Sequence, residues 1–255
     1  MVLLLTKSSA NDGRIDVSTL KRMIGDFVDG RQSRRASREL LAQQQTAIEQ
    51  LFEADLTYLR ETFAGTPRAL QSESFPDYPG AVWMEDLGIK AFCVTQDVEV
   101  EQFPVYVNLV SAGRERVGPR QFVRDGPLHT FFSGIDRYSG KQISLLTNDV
   151  ELVRSVSVSG FNPPPPWLAW YELGSLIYSL QGDAQYWYEN VWDRYWEHLS
   201  LTEQDAFIDK RRPLTSAYLS GEQWTEWLDA IRMRDARYRE RLRSEYQQTG
   251  GVNST

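Results

Sequence analysis

Cysteine, histidine and lysine are scarce in this 255-residue chain, with one, two and five residues respectively. The single Cys93 excludes a disulfide within the chain and any zinc site that needs two thiolates. His129 and His198 stand far apart in sequence, which excludes a histidine-rich metal centre. His198 has Tyr195 three residues before it instead of the glutamate of a di-iron E-x-x-H pair. No H-E-x-x-H, G-x-S-x-G or G-x-G-x-x-G occurs. The segment Gly134–Lys141 resembles a phosphate loop, but Gly134 stands one residue too early and Gln142 replaces the hydroxyl residue that would meet magnesium. It reads as a hairpin turn. No metal and no cofactor are expected.

Long apolar runs are missing too. No stretch approaches the roughly 18 apolar residues of a membrane span. The opening run Val2–Leu5 is shorter than a signal-peptide core of about 7–15 residues. The expectation is a cytoplasmic protein without a membrane partner, and a lone cysteine suits that reducing compartment. The excess of arginine over lysine, 23 to 5, points to a GC-rich bacterial genome.

What is present is ordinary in bulk: 41% apolar and 25% charged residues, net charge −7. The distribution is not ordinary. Residues 49–101 carry −8 and residues 151–210 carry −6, while the remaining stretches are each mildly basic.

Periodicity predicts an α+β fold with N-terminal helices, a central mostly antiparallel sheet of four to six strands, and an aromatic-rich C-terminal helical layer. In residues 1–65, Val2–Thr6 reads as a strand, about Asp16–Asp29 as a helix, and the apolar steps from Leu40 to Phe63 as a longer helix. The prolines of residues 66–80 mark a boundary. In residues 81–160, strands are expected at Ile89–Val100, Val105–Val110, Gln121–Val123, His129–Phe132, Ile143–Thr147 and Leu152–Val158. Their connections are too short for crossover helices, hence the antiparallel sheet. The run Pro163–Pro166 is a stiff spacer. In residues 167–247, helices are expected at Asp183–Leu199, with Asp183 as N-cap, from Ser200 to before Pro213, and from Ser220 to about Gln247. Ser200/Glu203 and Ser220/Gln223 have capping-box spacing. The second and third regions are expected to pack as one domain.

Three features have the composition of a site. Eleven aromatic residues fall between Phe161 and Ser200, among them Trp187, Trp192 and Trp196. Packing between layers is the usual fate of such a helical stripe, but Trp and Tyr also dominate protein-binding hot spots. Asp97, Glu99 and Glu101 alternate with valines, which on a strand puts three carboxylates on one face. Arginines cluster at Arg31–Arg38 and at Arg232–Arg243. The second cluster is interleaved with Asp235, Glu240 and Glu245, which favours ion pairs over an open basic face.

These features suggest a non-catalytic protein-binding module. Its concrete form would be an immunity protein that neutralises a basic toxin by docking an acidic, aromatic surface on it. The expected contact residues are Asp97, Glu99, Glu101, Glu189, Trp192, Asp193 and Trp196. The alternative is a glycan hydrolase working through two carboxylates drawn from Asp97, Glu99, Glu189 and Asp193. A nucleic-acid-binding regulator using the last helix stands third, against the net negative charge.

Overall fold

A computed structural model describes residues 34–175 and 180–250. The predicted strand Val2–Thr6 and helix Asp16–Asp29 lie outside the described residues. The chain divides into two compact units, residues 1–58 and 59–255.

The first unit contributes α1 (Arg34–Phe52), whose Ile48, Leu51 and Phe52 are buried. The expected single helix to Phe63 is broken. Glu53 takes a left-handed φ of 51°, and the Ala54 N–H turns back to the Glu49 carbonyl. Asp55 then caps a new helix, α2 (Leu56–Thr62), by accepting from the Tyr58 N–H at 2.9 Å.

The second unit is built on a six-stranded antiparallel sheet, at the upper end of the predicted strand number. Its strands are β1 (Ala81–Trp83), β2 (Phe92–Glu99), β3 (Glu115–Arg116), β4 (Gln121–Arg124), β5 (Leu128–Arg137) and β6 (Gly140–Thr147), in the order β1-β2-β6-β5-β4-β3. β5 and β6 form the hairpin expected at Gly134–Lys141. Its two turn residues, Tyr138 and Ser139, both have positive φ, the signature of a turn that matches strand twist. Gly140 is required there for close packing. A Cβ at that position would stand 2.5 Å from Pro164 Cγ and 2.6 Å from the Val98 carbonyl oxygen. The proline spacer thus lies against the hairpin, where a phosphate loop would have opened.

Two predicted strands are helices. Val105–Val110 lies within α3 (Phe103–Ser111), and Leu152–Val158 within α4 (Val150–Val158). Their β-branched residues read as strand, but burial follows the helical step: Tyr106 and Val110 in α3, Leu152, Val153 and Val156 in α4. Asp149 caps α4 by accepting from the Leu152 N–H at 3.2 Å. Both helices cover one face of the sheet, against Phe92, Val94, Val98, Ile143 and Leu145.

The prolines lead into α5 (Pro166–Ala169). Then α6 (Gly182–Trp187), a π turn (Tyr188–Trp192) and α7 (Asp193–His198) make one continuous rod. No side-chain cap is formed at its start, where Gln181, and not Asp183, takes the N-cap position. α8 (Leu201–Thr215) and α9 (Gly221–Arg232) each begin with the predicted capping box, complete in both directions. α8 runs past Pro213, and the last predicted helix breaks after Arg232 to resume as α10 (Ala236–Gly250).

The π turn explains the aromatic core. Residues five apart on a regular helix point about 140° away from one another. The wider turn brings Trp187 and Trp192 into a stack, with centroids 6.0 Å apart at 15°. Trp192 stacks on Trp196 in turn, at 5.2 Å and 20°. Phe207 of α8 closes the edges of Trp192, Tyr195 and Trp196, and Trp167 meets Trp224 edge to face at 4.8 Å.

Candidate functional site

The strand that carries the predicted acidic face is not an edge strand at those positions. Asp97 and Glu99 pair with Gln142 and Gly140 of β6 and are only 3% and 5% exposed. The Asp97 carboxylate faces the Gln142 side-chain amide, 3.4 Å from each oxygen. Burial first, and then the Asp97 charge, push the nearby Tyr78 hydroxyl well above its ordinary pKa. Glu99 holds Arg211 of α8, which donates at 2.8 Å to Oε2 and lies 2.7 Å from Oε1. Asn162 donates to Glu99 at 2.9 Å and is itself locked to Gln102. Glu101 falls beyond the strand, on an exposed 3₁₀ turn, so the predicted three-carboxylate face is two buried groups and one exposed one.

The aromatic half of the predicted surface is likewise internal. Trp192 and Trp196 are buried, with their ring faces covered by neighbouring indoles. They offer no platform to a partner or a sugar. Asp193 is paired with Arg234, whose Nε donates at 3.1 Å, and Arg234 lies over the Tyr188 ring at 4.9 Å. Glu189 is exposed and accepts from Gln185 at 2.9 Å. Of the four carboxylates considered for glycan hydrolysis, Asp97 and Glu99 are buried on β2, and Glu189 and Asp193 lie on the π turn and the start of α7. Glu99 and Asp193 are each committed to an arginine.

The C-terminal arginines are committed in the same way. Arg232 and Arg241 reach Asp205 at 2.7 and 3.3 Å, and Arg237 holds the buried Asp235 at 2.7 Å. Arg239 donates to the Met233 and Arg234 carbonyls that end α9. Burial raises the Asp235 carboxyl, but hydrogen bonds from Arg237 and Gln204 outweigh it and hold the pKa at about 2. This network ties α10 to α8 and α9. The Arg31–Arg38 cluster lies outside the described side chains.

Three features escape a reading of the sequence alone. The first is a hub at Asp149, itself 1% exposed, which receives Arg114 at 2.5 Å and Arg124 at 2.8 Å while capping α4. Its capping role, an Asp before an apolar run, is the one local signal that could have pointed to it, and the strand reading of Leu152–Val158 passed over it. The second is a cleft beside that hub. The third is a surface patch in which Leu168, Tyr171, Leu173, Leu214 and Tyr218 are each between 38% and 64% exposed. Tyr171 and Tyr218 meet edge to face at 6.2 Å, which joins the segment after α5 to the end of α8. Glu172, between Tyr171 and Leu173 in the chain, is exposed, and Ser175 just beyond them donates to Glu226 at 3.1 Å. Glu101 is near in the chain to Glu99, whose partner Arg211 is on the turn of α8 before Leu214.

Among the described residues, no group of three His, Cys, Asp or Glu side chains is placed to hold a metal ion. No helix of the described residues is long and apolar enough to cross a membrane. No family model, no curated protein and no solved structure matches the chain.

Proposed function

We propose that this chain is a non-catalytic protein-binding module, an inhibitor of the immunity type that docks on a basic protein such as a toxin inside a bacterial cell. The observation that carries the reading is the exposed patch Leu168, Tyr171, Leu173, Leu214 and Tyr218 with its acidic neighbours Glu172 and Glu226. Exposed apolar clusters with a polar rim are the usual anchors of protein partners. The acidic rim selects a basic partner and speeds its approach. Of the residues expected from sequence, Glu101 and Glu189 are exposed, whereas Trp192 and Trp196 are buried.

The test is a paired pull-down from the native host with the wild-type chain and a Leu214→Asp, Tyr218→Asp variant, followed by binding measurements on the purified partner. The expected result is a basic protein bound by the wild type and lost with the variant, with a salt-dependent association rate. Equal recovery by both chains, or an acidic partner, would refute the assignment.

A further inference from the structure

Between the loop after α2, the β4–β5 turn and the start of α4 lies an open cleft of about 490 Å³. That volume falls in the ordinary range of small-ligand sites, roughly 300–1,000 Å³. Leu70, Leu128 and Val150 give it apolar walls, with Pro67 and Pro127 at the rim.

Its polar end is almost fully committed. Asn148 donates to Thr66 at 2.9 Å and to the Pro127 carbonyl at 3.0 Å, and accepts from the His129 N–H at 2.7 Å. Asp149 occupies the start of α4 itself and is held by Arg114 and Arg124. Glu151 is 65% exposed and bound to Arg154. Arg124 is the exception. Its Nη2 is used on Asp149, and its Nε is buried without a hydrogen-bond partner. Its other charged neighbour, Asp125, lies 3.7 Å from Nε and is 80% exposed, a loose solvent-side contact. Two guanidiniums thus share one buried carboxylate, which leaves a cationic donor at the end of an apolar trough.

We propose that this cleft binds a small amphiphilic carboxylate, an aliphatic or aromatic acid. Its carboxylate would pair with the Arg124 guanidinium, and its apolar body would lie along Leu70, Leu128 and Val150. The anion adds a charge-assisted hydrogen bond to a guanidinium that Asp149 satisfies only in part. The site is separate from the proposed docking patch, and neither reading depends on the other.

The probe is octanoate, titrated into the full chain by calorimetry, with octanol and octylammonium as matched neutral and cationic controls. Octanoate is expected to bind, octanol at least roughly tenfold more weakly, and octylammonium not at all. Arg124→Gln should reduce octanoate affinity by a similar factor. Leu70→Trp, which fills the trough away from Asp149, should abolish binding. Octanol binding as tightly as octanoate would overturn the proposal, as would unchanged affinity in folded Leu70→Trp or no octanoate binding at about 1 mM.

Discussion

Replacing Glu99 by Gln tests whether the acidic strand is internal structure or surface. Its side chain is 6% exposed and Arg211 is 15% exposed, so removing the charge leaves a guanidinium in a poorly solvated setting. Two unit charges about 4 Å apart interact by about 4 kcal/mol at the effective dielectric typical of such pairs. Breaking a buried pair from one side costs about 3–5 kcal/mol by mutational experience. The two figures agree, and both are a large share of the roughly 5–15 kcal/mol that stabilises a domain. For a unit of this size the loss corresponds to a fall in Tm of roughly 6–20 °C. Glu101→Gln, on the exposed turn, should change stability by no more than about 0.5 kcal/mol. Urea denaturation followed by tryptophan fluorescence reads both directly, because the indole column reports the fold. Glu99→Leu combined with Arg211→Met should recover much of the loss, since no charge is then stranded. Equal, small effects of Glu99→Gln and Glu101→Gln would refute the reasoning and return Glu99 to the surface.

Trp192 lies between two indoles, so Trp192→Ala should cost about 3–5 kcal/mol and abolish the near-ultraviolet circular dichroism of the stack, whereas Trp192→Phe should retain a folded chain with a weakened signal. Gly140→Ala introduces a Cβ against Pro164 and the Val98 carbonyl and should cost about 1–3 kcal/mol, read as a lower urea midpoint with the same slope. The folded pKa of Asp235 is depressed to about 2, below its ordinary value, so its contribution is fully present above about pH 4 and is lost as pH falls through about 2. Asp235→Asn should lower stability at neutral pH and flatten the stability curve across that window, and an unchanged slope would contradict the assignment.

The elements legible in the sequence were those written locally. The capping boxes at Ser200 and Ser220 appear because each needs only one hydroxyl and one side chain three residues on. The β5–β6 hairpin is marked by its short turn, and the absence of crossover lengths already implied antiparallel pairing. The misread segments, Val105–Val110 and Leu152–Val158, are those where composition and periodicity conflict. Their valines favour strand, but the sheet already had its strands, and tertiary packing selected the helical spacing.

The site residues were misplaced for a different reason. Alternation shows that Asp97 and Glu99 share a face, but not what covers that face. Glu99 is covered by a partner 112 positions away, Arg211, which no local pattern announces. The same separation hid the Asp149 hub, whose arginines come from β4 and from the loop before β3. Block charge suffers equally. The −8 of residues 49–101 includes Asp97 and Glu99, which are buried, Glu99 being offset by Arg211, and Asp193 and Asp205 of the second acidic block are likewise offset by arginines. The acidity available for steering a partner is therefore smaller than the totals imply and sits on groups such as Glu101, Glu172 and Glu226. Raising salt should accordingly slow partner association only modestly, by less than a field of both full blocks would predict.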